Sequence, residues 1–184
     1  MSHALDPDYA TIGGMLLEPA QLDRLSDWLR PEDFAKPLCG ELYELLTTMR
    51  SMRSPIDPVT VLGELRRAGR LRSDGYPAGE LIAMVESVPT PASTPYYARM
   101  VLEAATFRRI EQCGARITQV GHRRRGSPDD AFELLGQGWS ELADVRSRWQ
   151  RSSEPSQSRS SDRGRASELV ETRAIDRPAA TRAR

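Results

Sequence analysis

The sequence predicts an all-α protein, with a compact head of about six short helices followed by a long antiparallel helical hairpin. Apolar residues recur at helical spacings of three and four positions through most of the chain. A length of 184 residues suits one ordinary domain with an appendage. At four places a helix-capping residue precedes a proline, and this pair favours the start of a helix. The side-chain oxygen of the capping residue accepts a backbone N–H that has no partner within the helix, and proline has no N–H that would need one. These pairs are Asp6-Pro7, Asp57-Pro58, Thr94-Pro95 and Ser127-Pro128.

The head is predicted over residues 1–93, and prolines divide it into helices. The predicted helices cover 7–17, a segment from Pro19, one turn at 31–34, a longer helix from Pro37, one from Pro58 to about Gly69, and one from Pro77. Their inward residues are predicted to be Ile12, Met15, Leu16, Leu22, Leu25, Leu29, Leu38, Leu42, Leu45, Met49, Val59, Leu62, Leu65, Leu81, Ile82 and Val85. The prolines in residues 88–92 predict an extended connector before the hairpin.

The hairpin is predicted over residues 94–150, as helices 95–121 and 128–149 joined by a short polar loop that folds them back on each other. Each helix carries an apolar heptad stripe, with one failure at Arg146. A hairpin buries only one stripe against itself, so these stripes predict an interface with a second copy or a partner; packing onto the head is the alternative. The predicted interface residues are Phe107, Ile110, Ile117, Phe132, Leu135, Trp139 and Leu142, with Gly114 and Trp149 at stripe positions.

Residues 151–184 are predicted to be a disordered Ser/Arg-rich tail, because the stretch 151–161 has no apolar residue to offset its ordering entropy. The tail holds eight arginines against five acids, while the whole chain is neutral. A net charge of zero argues against a protein whose entire surface binds nucleic acid. No apolar run reaches the roughly 20 residues needed to cross a bilayer, and the first residues do not resemble a signal peptide. We therefore expect a cytoplasmic protein without membrane contact.

The sequence predicts no catalytic, cofactor-binding or metal site. A Walker A loop needs a glycine-rich run before a lysine, and the only lysine, Lys36, precedes Pro37 with no such run. Gly13-Gly14 lies inside a predicted helix. The two cysteines, Cys39 and Cys113, are expected to be buried free thiols. An enzyme is thus the least favoured class.

The segment Arg123-Arg124-Arg125 is the densest positive cluster and lies at the predicted hairpin tip. It predicts either a solvated tip or a weak, salt-sensitive contact with phosphates or an acidic partner. No aromatic residue lies nearby for base stacking.

Four blocks in order resemble the N-terminal domain of DnaB-type replicative DNA helicases over about residues 8–148. They are Ile12-Gly13-Gly14-Met15-Leu16-Leu17 with Leu29-Arg30-Pro31-Glu32-Asp33-Phe34, then Pro55-Ile56-Asp57-Pro58-Val59-Thr60-Val61-Leu62 with Gly69-Arg70-Leu71, then Val88-Pro89-Thr90-Pro91-Ala92-Ser93, then Tyr97-Ala98-Arg99-Met100-Val101. No single block is specific, but the ordered set is.

The resemblance implies an all-α head and a hairpin that pairs with its neighbour, three pairs forming a collar where bacterial primase docks through its C-terminal domain. The chain departs from the family at Cys39-Gly40, where a His-Arg pair is common, and at Gly75-Tyr76, where two glycines are usual. The ATPase domain that follows the hairpin in the family is not recognisable in residues 151–184, so we expect a collar domain without a motor.

Three hypotheses follow. The first is a standalone interaction module in DNA replication that binds itself, primase or a replicative helicase. The second is a small DNA-associated regulator that uses the basic hairpin tip and the tail. The third is the collar piece of a helicase whose motor lies on another chain, which the sequence does not separate from the first.

Overall fold

A computed structural model describes residues 6–69, 78–123 and 127–153, and these form α-helices and short 3₁₀ helices without a strand. The predicted all-α class is confirmed. The α-helices are α1 (Pro7–Leu17), α2 (Gln21–Leu25), α3 (Pro37–Ser51), α4 (Pro58–Arg67), α5 (Ala78–Glu86), α6 (Thr94–Arg123) and α7 (Pro128–Ser153), and the 3₁₀ helices are Pro31–Asp33 and Pro91–Ser93. None of the described helices is long and apolar enough to cross a membrane.

The helix starts follow the capping chemistry of the sequence. Asp6 accepts a hydrogen bond from the backbone N–H of Asp8 at 3.0 Å, and Asp57 accepts one from the N–H of Val59 at 2.9 Å. In each case proline occupies the first helical position. Thr94 behaves differently: it is already helical, and its hydroxyl donates to the carbonyl of Pro91 at 2.6 Å.

Helix α1 lies at the centre of the head and is buried on almost every side. Two glycines allow neighbouring elements to approach its backbone. A Cβ on Gly13 would lie 2.0 Å from the carbonyl oxygen of Met84 in α5, and one on Gly14 would lie 2.0 Å from the Thr94 hydroxyl. The glycine pair therefore sets how closely α5 and the start of α6 pack on α1.

Several predicted details of the head are wrong. Helix α2 ends at Leu25, although Leu29 is still buried in the core. Val59 and Ile82, predicted to face inward, are 80% and 58% exposed, because Val61, Leu81 and Met84 supply the buried faces of their helices. The predicted extended connector contains the 3₁₀ helix Pro91–Ser93, since proline at its first position fixes a helical φ.

Helices α6 and α7 form the predicted antiparallel hairpin. Helix α7 continues to Ser153, so the helix ends three residues beyond the predicted hairpin boundary at 150. Residues 154–184, predicted to be a disordered tail, lie outside the described residues, as do 124–126. The remaining domain division stays a prediction.

Candidate protein-interaction surface

The two hairpin helices touch at a glycine. A Cβ on Gly138 of α7 would lie 2.6 Å from the sulfur of Cys113 in α6, so only glycine allows this approach. On the solvent side, Arg116 forms a two-bond ion pair with Glu141. Hydrogen bonds from Arg116 lower the pKa of the Glu141 carboxyl below its ordinary value. These contacts fix the register between α6 and α7.

The hairpin leaves a row of large apolar side chains exposed. The exposed fractions are 75% for Trp139, 69% for Phe132, 65% for Phe107, 48% for Ile110, 44% for Ile117 and 41% for Leu135, and Leu142 is half-buried. We call these seven residues the hairpin face. Scattered exposed apolar residues are ordinary, but a contiguous row marks an interaction surface.

Both helices contribute to one side of the hairpin. Phe107 and Ile110 of α6 share a groove of about 460 Å³ with Leu142 of α7. Towards the tip, Ile117 and Leu135 line a second groove of about 220 Å³. Six residues of the hairpin face are thus exposed rather than packed onto the head, whereas Trp149, at the end of the α7 stripe, is partly buried against the core.

Only two charged side chains line the larger groove, Glu103 on α6 and Arg146 on α7. Neither forms an ion pair or a side-chain hydrogen bond with any residue that the structure describes. Arg146 interrupts the apolar heptad stripe of α7, and an otherwise apolar groove thus contains one positive and one negative side chain.

A buried ion cluster joins the head to the base of the hairpin. The Asp33 carboxylate is fully buried and accepts from Arg148 of α7 at 2.5 Å, from Arg109 of α6 at 2.9 Å and from the backbone N–H of Arg30 at 2.8 Å. Arg148 is 1% exposed and also donates to the carbonyl of Trp28 at 3.1 Å. One carboxylate in the head therefore holds both hairpin helices.

Further contacts surround this cluster. Arg108 donates to the backbone carbonyl of Asp33 at 2.5 Å, and Arg30 forms two bonds of 2.9 and 3.0 Å with Asp144. Asp33 also caps its own 3₁₀ helix, since its carboxylate accepts the backbone N–H of Arg30. Its partners Arg109 and Arg148 lie 76 and 115 positions further along the chain, so no local spacing in the sequence signals these contacts.

The lysine and the cysteines support no catalytic role. Lys36 binds Asp6, and its ammonium lies 3.8 Å from the centre of the Tyr9 ring. Cys39 and Cys113 are both free and buried, as predicted. Burial raises the pKa of the Cys39 thiol well above its ordinary value, which suppresses the nucleophilic thiolate.

The predicted phosphate-contacting residues are largely outside the structure. Arg123 is the last residue of α6, and Arg124 and Arg125 lie outside the described residues. Their contact with phosphates or an acidic partner stays a prediction.

Comparisons with known proteins identify the family. A family model for the DnaB-like helicase N-terminal domain matches residues 1–103, more than half of the chain. The chain belongs to this family. A crystal structure of the N-terminal domain of DnaB helicase from Mycobacterium tuberculosis is 32% identical, with a TM-score of 0.64 over 76% of this chain and 95% of that one. The DnaB-like fold and the earlier resemblance are thereby confirmed.

Full-length relatives extend this DnaB-like assignment. Replicative DNA helicase DnaB of Mycobacterium leprae is 34% identical over 77% of this chain and 23% of its own length. The corresponding helicase of Geobacillus stearothermophilus is 30% identical over 79% of this chain and 31% of its own length. The chain thus spans about a quarter to a third of these helicases and matches their N-terminal part.

Proposed function

We propose that this chain is a protein-interaction module in DNA replication, which pairs through its hairpin face with a second copy and docks on primase or a replicative helicase in the cytoplasm. The observation that carries the proposal is the hairpin face itself, a row of exposed apolar side chains from both helices of a DnaB-like domain. Large exposed aromatic residues are typical anchors of protein interfaces.

The proposal assigns no ATP hydrolysis to this chain. The sequence has one lysine and no Walker A pattern, so it lacks the loop and lysine that hold the phosphates of ATP in Walker A proteins. Any helicase reaction would then belong to a partner that carries the motor. A collar whose motor lies on a separate chain is one form of this proposal.

Self-association is tested by analytical ultracentrifugation of the full chain across a concentration series. We expect the wild type to form a dimer or larger oligomer and Trp139→Asp to be monomeric, because a carboxylate at this site would be buried unpaired in the interface. The matched control is Val59→Asp, since Val59 is 80% exposed on the head and lies outside the hairpin face. Circular dichroism verifies that both variants keep their helices.

Partner binding needs a separate experiment. Purified primase C-terminal domain and purified replicative helicase are each titrated against the full chain, with binding measured by calorimetry. Binding of either partner supports the docking role. Failure of both, with self-association intact, would restrict the proposal to homo-oligomer formation.

A further inference from the structure

A cleft on the head lies between α2 and α3, apart from the hairpin face. Its volume of about 550 Å³ exceeds that of either hairpin groove. Asp23 and Ser26 line it from the α2 side, and Arg50, Arg53 and Ser54 line it from the α3 side. Pockets that bind small molecules have volumes of about 300–1,000 Å³, so the cleft is large enough for a small ligand.

Arg50 is held at the wall of the cleft by Asp23. Its Nε donates to one carboxylate oxygen of Asp23 at 3.0 Å, and its Nη2 donates to the other at 2.6 Å. These hydrogen bonds lower the pKa of Asp23, so the carboxylate stays charged and neutralises Arg50. The Nη1 of Arg50 has no hydrogen-bond partner among the residues that the structure describes. A positioned donor is therefore left for a ligand.

Arg53 is the arginine of the cleft whose charge is not neutralised. It is exposed, and its guanidinium forms no ion pair or hydrogen bond within the described part of the chain. Its φ of 56° lies in the left-handed region, which is costly for any residue other than glycine. Strained residues of this kind cluster at functional sites. An arginine that costs stability and has no charged partner in the described chain indicates an anion from outside.

Hydroxyl groups add further donors to the cleft. Those of Thr47 and Ser51 donate to backbone carbonyls of α3, whereas those of Ser26 and Ser54 have no described partner. The carbonyls at the end of α3 already accept from the backbone N–H groups of residues 52–54. The negative end of the α3 dipole disfavours an anion, but this effect at an exposed helix end is smaller than a hydrogen bond between charged groups.

We propose that the cleft between α2 and α3 binds a small phosphate monoester, whose phosphate accepts hydrogen bonds from Arg53 and from the Nη1 of Arg50. Guanidinium groups match the geometry and the charge of phosphate oxygens. No aromatic residue lines the cleft, so a nucleotide base has nothing to stack on there. The remainder of the ligand is therefore a hydroxyl-bearing group such as a sugar, which Ser26 and Ser54 bind. The site uses no residue of the hairpin face and does not depend on the proposed pairing.

The test is calorimetric titration of the full chain with ribose 5-phosphate, at constant ionic strength in a buffer without phosphate or sulfate. We expect saturable binding that ribose does not show and that is tighter than the binding of inorganic phosphate. Arg53→Gln removes the charge and is expected to weaken binding about 10- to 100-fold, the loss of one hydrogen-bonded charge. Arg53→Gly is expected to weaken binding at least as much, although it relieves the strained φ, so the loss cannot be ascribed to unfolding.

The matched control is Arg66→Gln. Arg66 is also exposed in the last turn of a head helix and has no described ion pair, but it does not line the cleft. This variant is expected to bind ribose 5-phosphate as the wild type does. No saturable binding to the wild type, or unchanged affinity in Arg53→Gln, would overturn the site. Equal affinities for ribose 5-phosphate and inorganic phosphate would overturn the assignment of a phosphate monoester.

Discussion

Replacing Asp33 by asparagine tests whether the buried ion cluster holds the hairpin on the head. The substitution keeps the shape of the side chain but removes its charge, while Arg148 at 1% exposure and Arg109 at 19% side-chain exposure remain in place. One acceptor oxygen becomes an NH₂ group that faces a guanidinium. The exchange therefore removes the one fully buried carboxylate that both guanidinium groups share, and it leaves them only the partly exposed carboxylates of Asp144 and Glu32.

The expected loss of unfolding free energy depends on the contacts that the two arginines retain. Removing one partner of a buried ion pair costs about 3–5 kcal/mol, and each lost hydrogen bond to a charged group contributes about 1.5–3 kcal/mol of this. Arg148 keeps the Trp28 carbonyl and Asp144, so we expect about 3–5 kcal/mol in total rather than more. This is a large share of the roughly 5–15 kcal/mol that stabilises a typical domain.

Urea denaturation followed by tryptophan fluorescence measures the free energy of unfolding without adding salt. The matched control is Asp23→Asn, which removes the same charge from an exposed pair with Arg50 whose side chains are 58% and 42% accessible. Exposed pairs contribute about 0.2–1 kcal/mol. An Asp33→Asn variant that loses no more stability than the Asp23→Asn control would refute the role of the cluster.

Three further predictions concern single residues. Arg53 adopts the left-handed φ of 56° after α3, so Arg53→Gly should raise the free energy of unfolding by about 1 kcal/mol. Gly69 has φ 66°, so Gly69→Ala should lower the free energy of unfolding by a similar amount. Urea midpoints that shift in the same direction for both variants would contradict this. Gly13→Ala should cost at least about 1–3 kcal/mol, because its Cβ would lie 2.0 Å from a backbone oxygen of α5, and a thermal melt like that of the wild type would contradict the close packing. Hydrogen bonds from Thr60 lower the pKa of Asp57 from its ordinary 3.8. The charged Asp57 therefore contributes its full stabilisation above pH 3.8, and this contribution is lost as the pH falls below that value. The difference in stability between the wild type and Asp57→Asn should close in acid, and a difference that persists at about pH 2 would contradict this prediction.

Local chemistry made part of the fold predictable. Asp6-Pro7 and Asp57-Pro58 placed two helix starts correctly, because a cap and its proline act within one helical turn. Val59 was misplaced because an apolar residue in the first turn of a helix satisfies the same spacing rule whether or not the head covers it. Burial there depends on neighbours that only the tertiary structure supplies.

The candidate interaction surface was also predictable only in part. The spacing of Phe107, Ile110 and Trp139 predicted an apolar row, and the structure leaves that row exposed. The function of Asp33 was not predictable, because its two guanidinium partners come from helices far along the chain. Periodicity detects a face, but it does not detect a polar contact that one element makes with another.

The buried cluster also determines how mechanical load would travel through the domain. Helix α7 ends at Ser153, and Arg148 lies five residues before that end, about 7.5 Å along the helix axis. Arg151 adds a bond of 3.3 Å to the carbonyl of Asp27. A pull applied at Ser153 would thus reach the head through these arginines before it reached Trp139, so such a force would leave the middle of the hairpin unstrained.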